Sequence, residues 1–217
     1  MGRTAVVLAG GEEPAPILAR RLVGCDLVVA ADSGLHHAPA LGLRVDLVVG
    51  DLDSVDPAVL AAAEAAGTEI ERHRSDKDAT DLELALDAVC RHAVERVTVV
   101  GAGGGRLDHL LANLAVLGHP RYAAVAVEAF VDDARVAVVH GGSEVAIEGP
   151  SGAFVTLLPT GGPARGVTTT GLRYALRGED LDPAGSRGVS NVVADAPASV
   201  ALAGGTLLVV EPEAFAR

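Results

Sequence analysis

Short apolar runs alternate with longer helix-like segments over roughly the first 130 residues, and this alternation limits the possible folds more than any other feature. Strands that alternate with helices are joined by crossovers and form a parallel sheet covered by helices. We therefore predict an N-terminal α/β domain over residues 1–135, with a three-layer, Rossmann-like parallel sheet. The predicted strands are Thr4–Ala9, Leu27–Ala31, Leu47–Val49, Glu69–His73, Arg96–Val100 and Ala123–Val131.

Two helices in this half have clear boundaries in the sequence. Asp56-Pro57 begins the first helix with an N-cap residue and a proline in the first turn, and Gly67 ends it. Thr80 begins the second helix as N-cap, and Glu83, three residues later, completes a capping box. We expect the second helix to end near Ala93.

The pattern changes after about residue 150 to short apolar segments separated by Gly, Pro and Asp, without a convincing helix. Such spacing is typical of antiparallel strands. We predict a C-terminal all-β sandwich domain over residues 140–217, joined to the first domain within Asp132–Gly142, and Val136–Val139 could belong to either sheet. The predicted strands are Phe154–Leu158, Val167–Thr170, Tyr174–Leu176, Ser199–Leu202 and Leu207–Val210.

Charge and composition exclude several classes of protein. A formal net charge of −12 and an aromatic content of 2% without Trp argue against sequence-independent binding to nucleic acid or anionic lipid. The first apolar run is only five residues long before Gly10-Gly11, too short for a secretory signal or a membrane span. Cys25 and Cys90 lie far apart, and we expect two buried free thiols in a cytoplasmic protein.

Aspartates follow three of the predicted strands directly, in Asp32–Gly34, Asp51–Ser54 and Ser75–Asp81. The carboxyl ends of parallel strands meet at one edge of the sheet, so we expect these carboxylates to lie close together. Neighbouring carboxylates repel one another unless a cation is present, and an all-oxygen ligand set favours Mg²⁺ with substrate phosphates. Any single Asp here is equally well explained as a cap or turn residue, so the prediction depends on the three groups together.

A glycine-rich segment, Gly101–Gly105, separates a predicted strand from the next helix and is followed by Arg106. Glycines at such a position let backbone N–H groups surround an anion, and an arginine can bind a phosphate through two nitrogens. The segment matches neither GxxxxGK[ST] nor GxGxxG. Alone it indicates only a turn, but beside an acidic metal site it indicates a nucleotide-binding site.

Five motifs, in this order along the chain, resemble the thiamine pyrophosphokinase family. They are Asp32-Ser-x-Gly34, Gly50-Asp-x-Asp-Ser54, Lys77-Asp-x-Thr-Asp81, Gly104-Gly-Arg-x-Asp-His109 with Leu111-Ala-Asn113, and Val167-Thr-Thr-Thr-Gly-Leu172, and Ser190-Asn191 is a further match. The resemblance implies transfer of a pyrophosphoryl group from ATP to the hydroxyl of thiamine, which gives thiamine pyrophosphate and AMP. It also implies an ATP-binding α/β domain, a β sandwich that helps to hold thiamine, and a homodimer with the active site at the subunit interface.

The resemblance also implies roles for individual residues. Mg²⁺ would be held by Asp51, Asp53 and Asp81. Asp78 or Asp81 would orient the acceptor hydroxyl or take its proton, and Arg106 would assist at the phosphates. ATP would be bound by Asp32, Lys77, Gly104, Gly105, Arg106, Asp108, His109 and Asn113, of which Lys77 is assigned from its charge and location. Thiamine would contact Thr169, Thr170, Tyr174, Ser190 and Asn191, and Tyr174 follows the motif where some members have Trp.

Two other functions stay open at this point. A pyrophosphokinase acting on another small alcohol, such as a hydroxymethyl-pterin, would have the same metal site and a different acceptor pocket. Thr168–Leu172 favours thiamine. A thiamine- or nucleotide-binding module without turnover is a second alternative, and the presence of Asp51, Asp53 and Asp81 together argues against it.

Overall fold

The computed structural model describes residues 2–104 and 106–215, so Gly105, one of the predicted ATP-binding residues, lies outside the described residues. The chain forms two compact units. The first runs up to Asn113 and includes Ala129–Asp132, and the second contains Leu114–Glu128 and the chain from Asp133 onward. The predicted domain limits, residues 1–135 and 140–217, stay predictions.

In the part of the chain that the structure describes, the first unit contains five complete strands and most of the helices. In chain order the elements are β1 (Thr4–Leu8), β2 (Leu27–Ala31), α1 (Ala38–Leu41), β3 (Leu47–Gly50), α2 (Pro57–Ala65), β4 (Glu69–Arg72), α3 (Asp81–Cys90), β5 (Arg96–Val100) and α4 (Leu107–Leu117). Helix α4 passes into the second unit at Leu114. Two 3₁₀ segments, Pro16–Arg20 and Asp32–His37, complete the unit.

The five strands form a parallel array in the order β5-β1-β2-β3-β4. In the centre, Val6 pairs with Val28 on one side and with Thr98 on the other. All residues of β2 and β3 are buried, as expected for parallel strands covered on both faces. Helix α3 packs on β1, β2 and β3. The prediction of an α/β fold with a parallel sheet is confirmed.

Local sequence signals place the helix ends. The Asp56 carboxylate accepts a hydrogen bond of 2.7 Å from the Ala58 N–H at the start of α2. The Thr80 hydroxyl accepts one of 3.2 Å from the Glu83 N–H at the start of α3. Both predicted N-caps are therefore confirmed, whereas α3 ends at Cys90, three residues before the predicted end.

The second unit contains two antiparallel sheets. After a 3₁₀ segment at Pro120–Tyr122 and β6 (Ala126–Val131), which lies across the division between the units, its strands are β7 (Ala134–His140), β8 (Ser143–Ile147), β9 (Phe154–Pro159), β10 (Ala164–Thr170), β11 (Arg177–Leu181), β12 (Asn191–Val192), β13 (Ala198–Leu202) and β14 (Thr206–Glu211). Within one sheet, β12, β9, β14 and β7 are neighbours in that order, and the other sheet consists of four strands in the order β11-β10-β13-β8. Val136–Val139 lies in β7, which pairs with β14.

The two antiparallel sheets share one apolar core. Val155 and Leu157 from the first sheet lie in the same buried cluster as Val167 and Val200 from the second. The alternation of buried and exposed residues along β10 and β13 is typical of strands with one face in a core. The antiparallel C-terminal region is therefore confirmed.

One predicted strand is wrong. Tyr174–Leu176 is part of a loop, and the strand that follows is β11. The backbone N–H of Leu176 donates to the Thr169 hydroxyl, and its carbonyl accepts from the Thr169 N–H, at 2.9 and 3.0 Å. The Thr169 hydroxyl thus accepts the hydrogen bond that the Leu176 N–H would make to a neighbouring strand if this segment were itself a strand. Strands β8 and β11 were not predicted, because both contain polar residues and lack a clear apolar run.

Two further expectations concern the chain as a whole. No helix in the described ranges is both long enough and apolar enough to span a membrane. Cys25 and Cys90 are not joined by a disulfide, but the expected burial is wrong, because Cys25 is half-buried and Cys90 is exposed.

Candidate functional site

A cleft of about 490 Å³ lies at the carboxyl ends of the parallel strands in the first unit. Chain segments that follow β1, β2, β3 and β5 line it, together with the start of α3, as expected for a ligand site in an open α/β sheet. Its lining includes seven of the predicted site residues outside the glycine segment, namely Asp32, Asp51, Lys77, Asp81, Arg106, His109 and Asn113.

An acidic cluster lies at the cleft, where Asp32 and Asp51 belong to the lining and the exposed Asp53 lies outside it. One carboxylate oxygen each from Asp32, Asp51 and Asp53 lies within 4.8 Å of the others. The negative charge of Asp51, with smaller contributions from burial and Asp32, raises the pKa of Asp53. The cluster therefore has the repulsion that a bound cation would relieve.

The burial and the backbone conformation of Asp32 are unusual for an aspartate. It is 8% exposed and has a φ of +48°, in the left-handed region that few residues other than glycine adopt. One carboxylate oxygen, Oδ2, accepts a short hydrogen bond from the Ser54 hydroxyl. The other, Oδ1, is buried without a hydrogen-bond partner among the described residues. A buried carboxylate oxygen without a partner is costly and suits a ligand position.

Lys77 joins two of the predicted carboxylates. Its Nζ lies 3.1 Å from Asp51 Oδ2 and 2.7 Å from Asp81 Oδ1, and its side chain is 14% exposed. The hydrogen bond from Lys77 is the main cause that lowers the pKa of Asp51. The structure thus brings Asp51 and Asp53 together as predicted, with Asp32 as the third carboxylate of the cluster and Asp81 beside Lys77.

Two glycine-containing segments, Gly10-Gly11 and the described part of the glycine-rich segment, meet at the cleft. Gly101 has a φ of +89°, and a Cβ there would lie 2.5 Å from the Ala9 carbonyl oxygen. The Ala102 N–H donates to the Gly10 carbonyl at 3.2 Å, and the Glu12 N–H donates to the Gly103 carbonyl at 3.3 Å. A backbone approach this close requires glycine, and it leaves main-chain groups facing the cleft.

Some of the residues after this glycine segment line the cleft, and others do not. Arg106, His109 and Asn113 line the cleft, and Asn113 donates a hydrogen bond of 3.4 Å to the Ala102 carbonyl. Asp108 is exposed and is paired with Arg106, which lowers the pKa of Asp108 to about 2. Asp108 therefore orients the Arg106 guanidinium and is not among the residues that line the cleft.

Sequence reasoning missed several lining residues. Gly10 and Gly11 follow β1, and Ser33, Ser54 and Ser75 follow other strands of the sheet. The three serines are explained as turn or cap residues when their types alone are considered. Their position directly after parallel strands was the signal that could have identified them. Asp78, by contrast, is exposed and outside the lining of the cleft.

The predicted thiamine-binding residues lie in the second unit. Tyr174 is 63% exposed, and Tyr174 and Asn191 line a cavity of about 390 Å³. The buried Asn191 side chain accepts from the Tyr174 N–H at 3.0 Å and donates to the Tyr174 carbonyl at 2.9 Å. Asn191 thus holds the loop that presents Tyr174, and Arg187, which was not predicted, also lines this cavity.

The other three predicted thiamine-binding residues lie outside the lining of this cavity. Thr169 is buried and holds the same loop through its hydrogen bond with Leu176. Thr170 is exposed on the opposite side of β10. Ser190 is exposed, has a φ of +57°, and donates its N–H to the Thr156 hydroxyl.

Two profiles of one protein family match this chain, each over a different part of it. The profile described as "Thiamin pyrophosphokinase, catalytic domain" matches residues 18–129. The profile described as "Thiamin pyrophosphokinase, vitamin B1 binding domain" matches residues 144–207. The chain belongs to the thiamin pyrophosphokinase family.

Known proteins agree with this assignment. "Thiamine pyrophosphokinase 1" from Oryza sativa subsp. japonica is 32% identical over 162 residues, which are 69% of this chain and 60% of the rice protein. The chain thus spans about 60% of the length of the curated plant relatives it matches. The thiamine pyrophosphokinase from Bacillus subtilis is 22% identical over 184 residues, 85% of this chain and 86% of that protein.

Solved structures also resemble this chain. The crystal structure of a thiamin pyrophosphokinase family protein from Enterococcus faecalis has a TM-score of 0.77 at 27% identity and covers 96% of this chain and 98% of its own. The Bacillus subtilis structure has a TM-score of 0.82 at 22% identity, with coverage of 96% and 98%, and bears on the fold alone.

Proposed function

We propose that the chain is an enzyme that transfers a pyrophosphoryl group from ATP to the hydroxyl of thiamine, giving thiamine pyrophosphate and AMP. The observation that carries the proposal is the cleft at the strand ends, whose lining combines carboxylates with residues of the glycine-rich segment and Arg106. Family membership supports the same reaction, because both family profiles match the chain.

A divalent metal fits the residues of the cleft. The available donors are carboxylate oxygens, which Mg²⁺ prefers, and Asp32 Oδ1 is buried without a partner in the described part of the chain. We assign Asp51, Asp53 and Asp81 as the metal-binding residues, with Asp32 completing the cluster. When bound, Mg²⁺ neutralises charge on the phosphate oxygens.

The protein groups would act mainly by positioning the reactants and by stabilising charge. Residues of the glycine-rich segment, Arg106, His109 and Asn113 line the cleft, and we assign them to the binding of ATP. The thiamine hydroxyl oxygen attacks the β-phosphorus, the bond from that phosphorus to the α,β-bridging oxygen breaks, and AMP leaves. Of the two carboxylates considered for the acceptor hydroxyl, Asp81 lines the cleft.

Further parts of the proposal depend on family resemblance. The first unit would be a Rossmann-like ATP-binding domain, and the second a β sandwich that holds thiamine, with Tyr174 against its rings. The active form would be a cytoplasmic homodimer with the active site at the subunit interface. The exposed Tyr174 beside a cavity supports the assignment of the acceptor side.

A product analysis tests the proposal. Purified protein is incubated with ATP, Mg²⁺ and thiamine, and a parallel sample contains a hydroxymethyl-pterin instead of thiamine. We expect equal amounts of AMP and thiamine pyrophosphate in the first sample only, and no product after a chelator is added. Product with the pterin alone would identify a different acceptor, and no product in either sample would favour a binding module.

A further inference from the structure

The Lys77 ammonium lies where a cation is expected in this cleft. It contacts Asp51 at 3.1 Å and Asp81 at 2.7 Å, and only 14% of its side chain is exposed. The contact with Asp81 lies within one short stretch, because Lys77 is four residues before Asp81, the first residue of α3. Asp51, by contrast, is 26 positions away from Lys77 in the sequence. In the nucleotide-free protein, Lys77 therefore places a positive charge beside the carboxylates of the cleft.

The Asp51 carboxylate can interact with two different cations, the Lys77 ammonium and a metal ion. Its carboxylate pairs with Lys77, and it also belongs to the cluster with Asp32 and Asp53. A divalent ion bound by the cluster would approach a carboxylate oxygen to about 2.1 Å, which would place it within a few ångströms of the lysine nitrogen. Two positive charges at that separation repel strongly where solvent is partly excluded.

We propose that Lys77 is an internal counter-ion that competes with the divalent metal for Asp51 in the nucleotide-free protein. When the metal arrives with ATP, the lysine ammonium leaves Asp51 and pairs with the phosphates, to which its flexible stem allows it to turn. Metal binding is therefore weak until nucleotide is present. This inference rests on the proposed function, because it takes Asp51 as a metal-binding residue and the cleft as the nucleotide site.

Binding of Mn²⁺ to the nucleotide-free protein tests the competition without any turnover. Free Mn²⁺ is measured by electron paramagnetic resonance for the wild type and for Lys77→Met, which keeps the length of the side chain and removes its charge. We expect Lys77→Met to bind Mn²⁺ at least about tenfold more tightly. With a non-hydrolysable ATP analogue and Mg²⁺ present, we expect the same variant to bind the nucleotide about tenfold less tightly.

Two matched variants separate this effect from a general change in charge. Arg74→Met removes a positive charge three residues away, where the exposed Arg74 pairs with Asp76, and we expect wild-type Mn²⁺ binding. Lys77→Arg keeps the charge, and we expect Mn²⁺ affinity within about threefold of the wild type. Circular dichroism of each variant establishes that it is folded, and Lys77→Arg still tests the proposal if Lys77→Met is unfolded.

The outcomes distinguish this inference from the proposed function. Equal or weaker Mn²⁺ binding by folded Lys77→Met would overturn the competition while leaving the metal site intact. Tighter binding by Lys77→Arg or by Arg74→Met would also overturn it. Absence of Mn²⁺ binding in every variant, with and without nucleotide, would overturn both the competition and the metal site on which the proposed function depends.

Discussion

Asp51 connects two parts of the candidate site, the carboxylate cluster and Lys77. It lies directly after β3, contacts Lys77, and shares the carboxylate cluster with Asp32 and Asp53. Sequence reasoning could place Asp51 and Asp53 at the strand end, because their position depends only on the strand that precedes them. It could not place Lys77 against Asp51, because the two residues are 26 positions apart in the sequence and lie on different segments of the chain.

We predict that Asp51→Asn abolishes most of the proposed turnover. Asparagine has nearly the same shape but lacks the charge that a metal requires, and loss of several kcal/mol of charge stabilisation corresponds to at least about a hundredfold decrease in kcat/KM. The product assay with thiamine measures this change. The control is Asp56→Asn, the same change at the N-cap of α2, where asparagine is an equally good cap and activity should be kept. Near-normal turnover in folded Asp51→Asn would remove Asp51 from the metal site.

At the scale of elements, the helix ends that depend on neighbouring residues were predicted correctly, whereas a loop that depends on a residue distant in the sequence was not. The caps of α2 and α3 follow from side chains that bond within three residues, so the sequence is sufficient to place them. The loop at Tyr174–Leu176 was predicted as a strand because it depends on Asn191, which is 17 residues away from Tyr174. No pattern of apolar residues reports a contact of that kind.

Thr169 and Thr170 offer a direct test of how this loop is held. The Thr169 hydroxyl is buried and accepts the Leu176 N–H, whereas Thr170 faces outward from the same strand. We expect Thr169→Val to lower the free energy of unfolding by about 1–3 kcal/mol, because the Leu176 N–H loses its acceptor. Thr170→Val should change it by less than about 0.5 kcal/mol. Urea unfolding measures both, and equal effects would contradict the role given to Thr169.

At the scale of the whole molecule, each unit contains one histidine with a depressed pKa. Burial is the main cause that lowers the pKa of His37 in the first unit and of His140 in the second. The Nε2 atoms of both rings are buried without a hydrogen-bond partner in the ranges that the structure describes. Protonation of either ring in the folded protein would therefore leave a charged donor unsatisfied.

This arrangement predicts a pH dependence of stability. The unfolded chain takes up the proton at the ordinary histidine pKa of about 6.5, and the folded chain does so only at lower pH. The stabilisation is therefore fully present above about pH 6.5 and is lost as the pH falls from there toward the lowered pKa. We expect His140→Asn, which can still bond to the Thr206 hydroxyl, to show a smaller decrease in unfolding free energy between pH 7.5 and pH 5 than the wild type. An identical decrease in urea titrations would contradict this account.

The overall architecture was predictable further than the details of the site. The alternation of strands and helices predicts a parallel sheet, and ligands bind such a sheet at the carboxyl ends of its strands. The position of the cleft could therefore be predicted from the sequence. The roles of Thr169 and Asn191 as supports of a loop do not follow, because they depend on which backbone groups remain unpaired after folding. Asp32 was predicted near the site, while its left-handed backbone was not.

The central claim is the transfer of an intact pyrophosphoryl group from ATP to thiamine, and the fate of labelled phosphorus tests it most directly. One reaction contains ATP labelled at the γ-phosphorus and another contains ATP labelled at the α-phosphorus, each with Mg²⁺ and thiamine. We predict that the γ label appears in thiamine pyrophosphate and that the α label remains in AMP, in equal molar amounts. Appearance of the γ label in thiamine monophosphate or inorganic phosphate, with ADP as the other product, would contradict the claim.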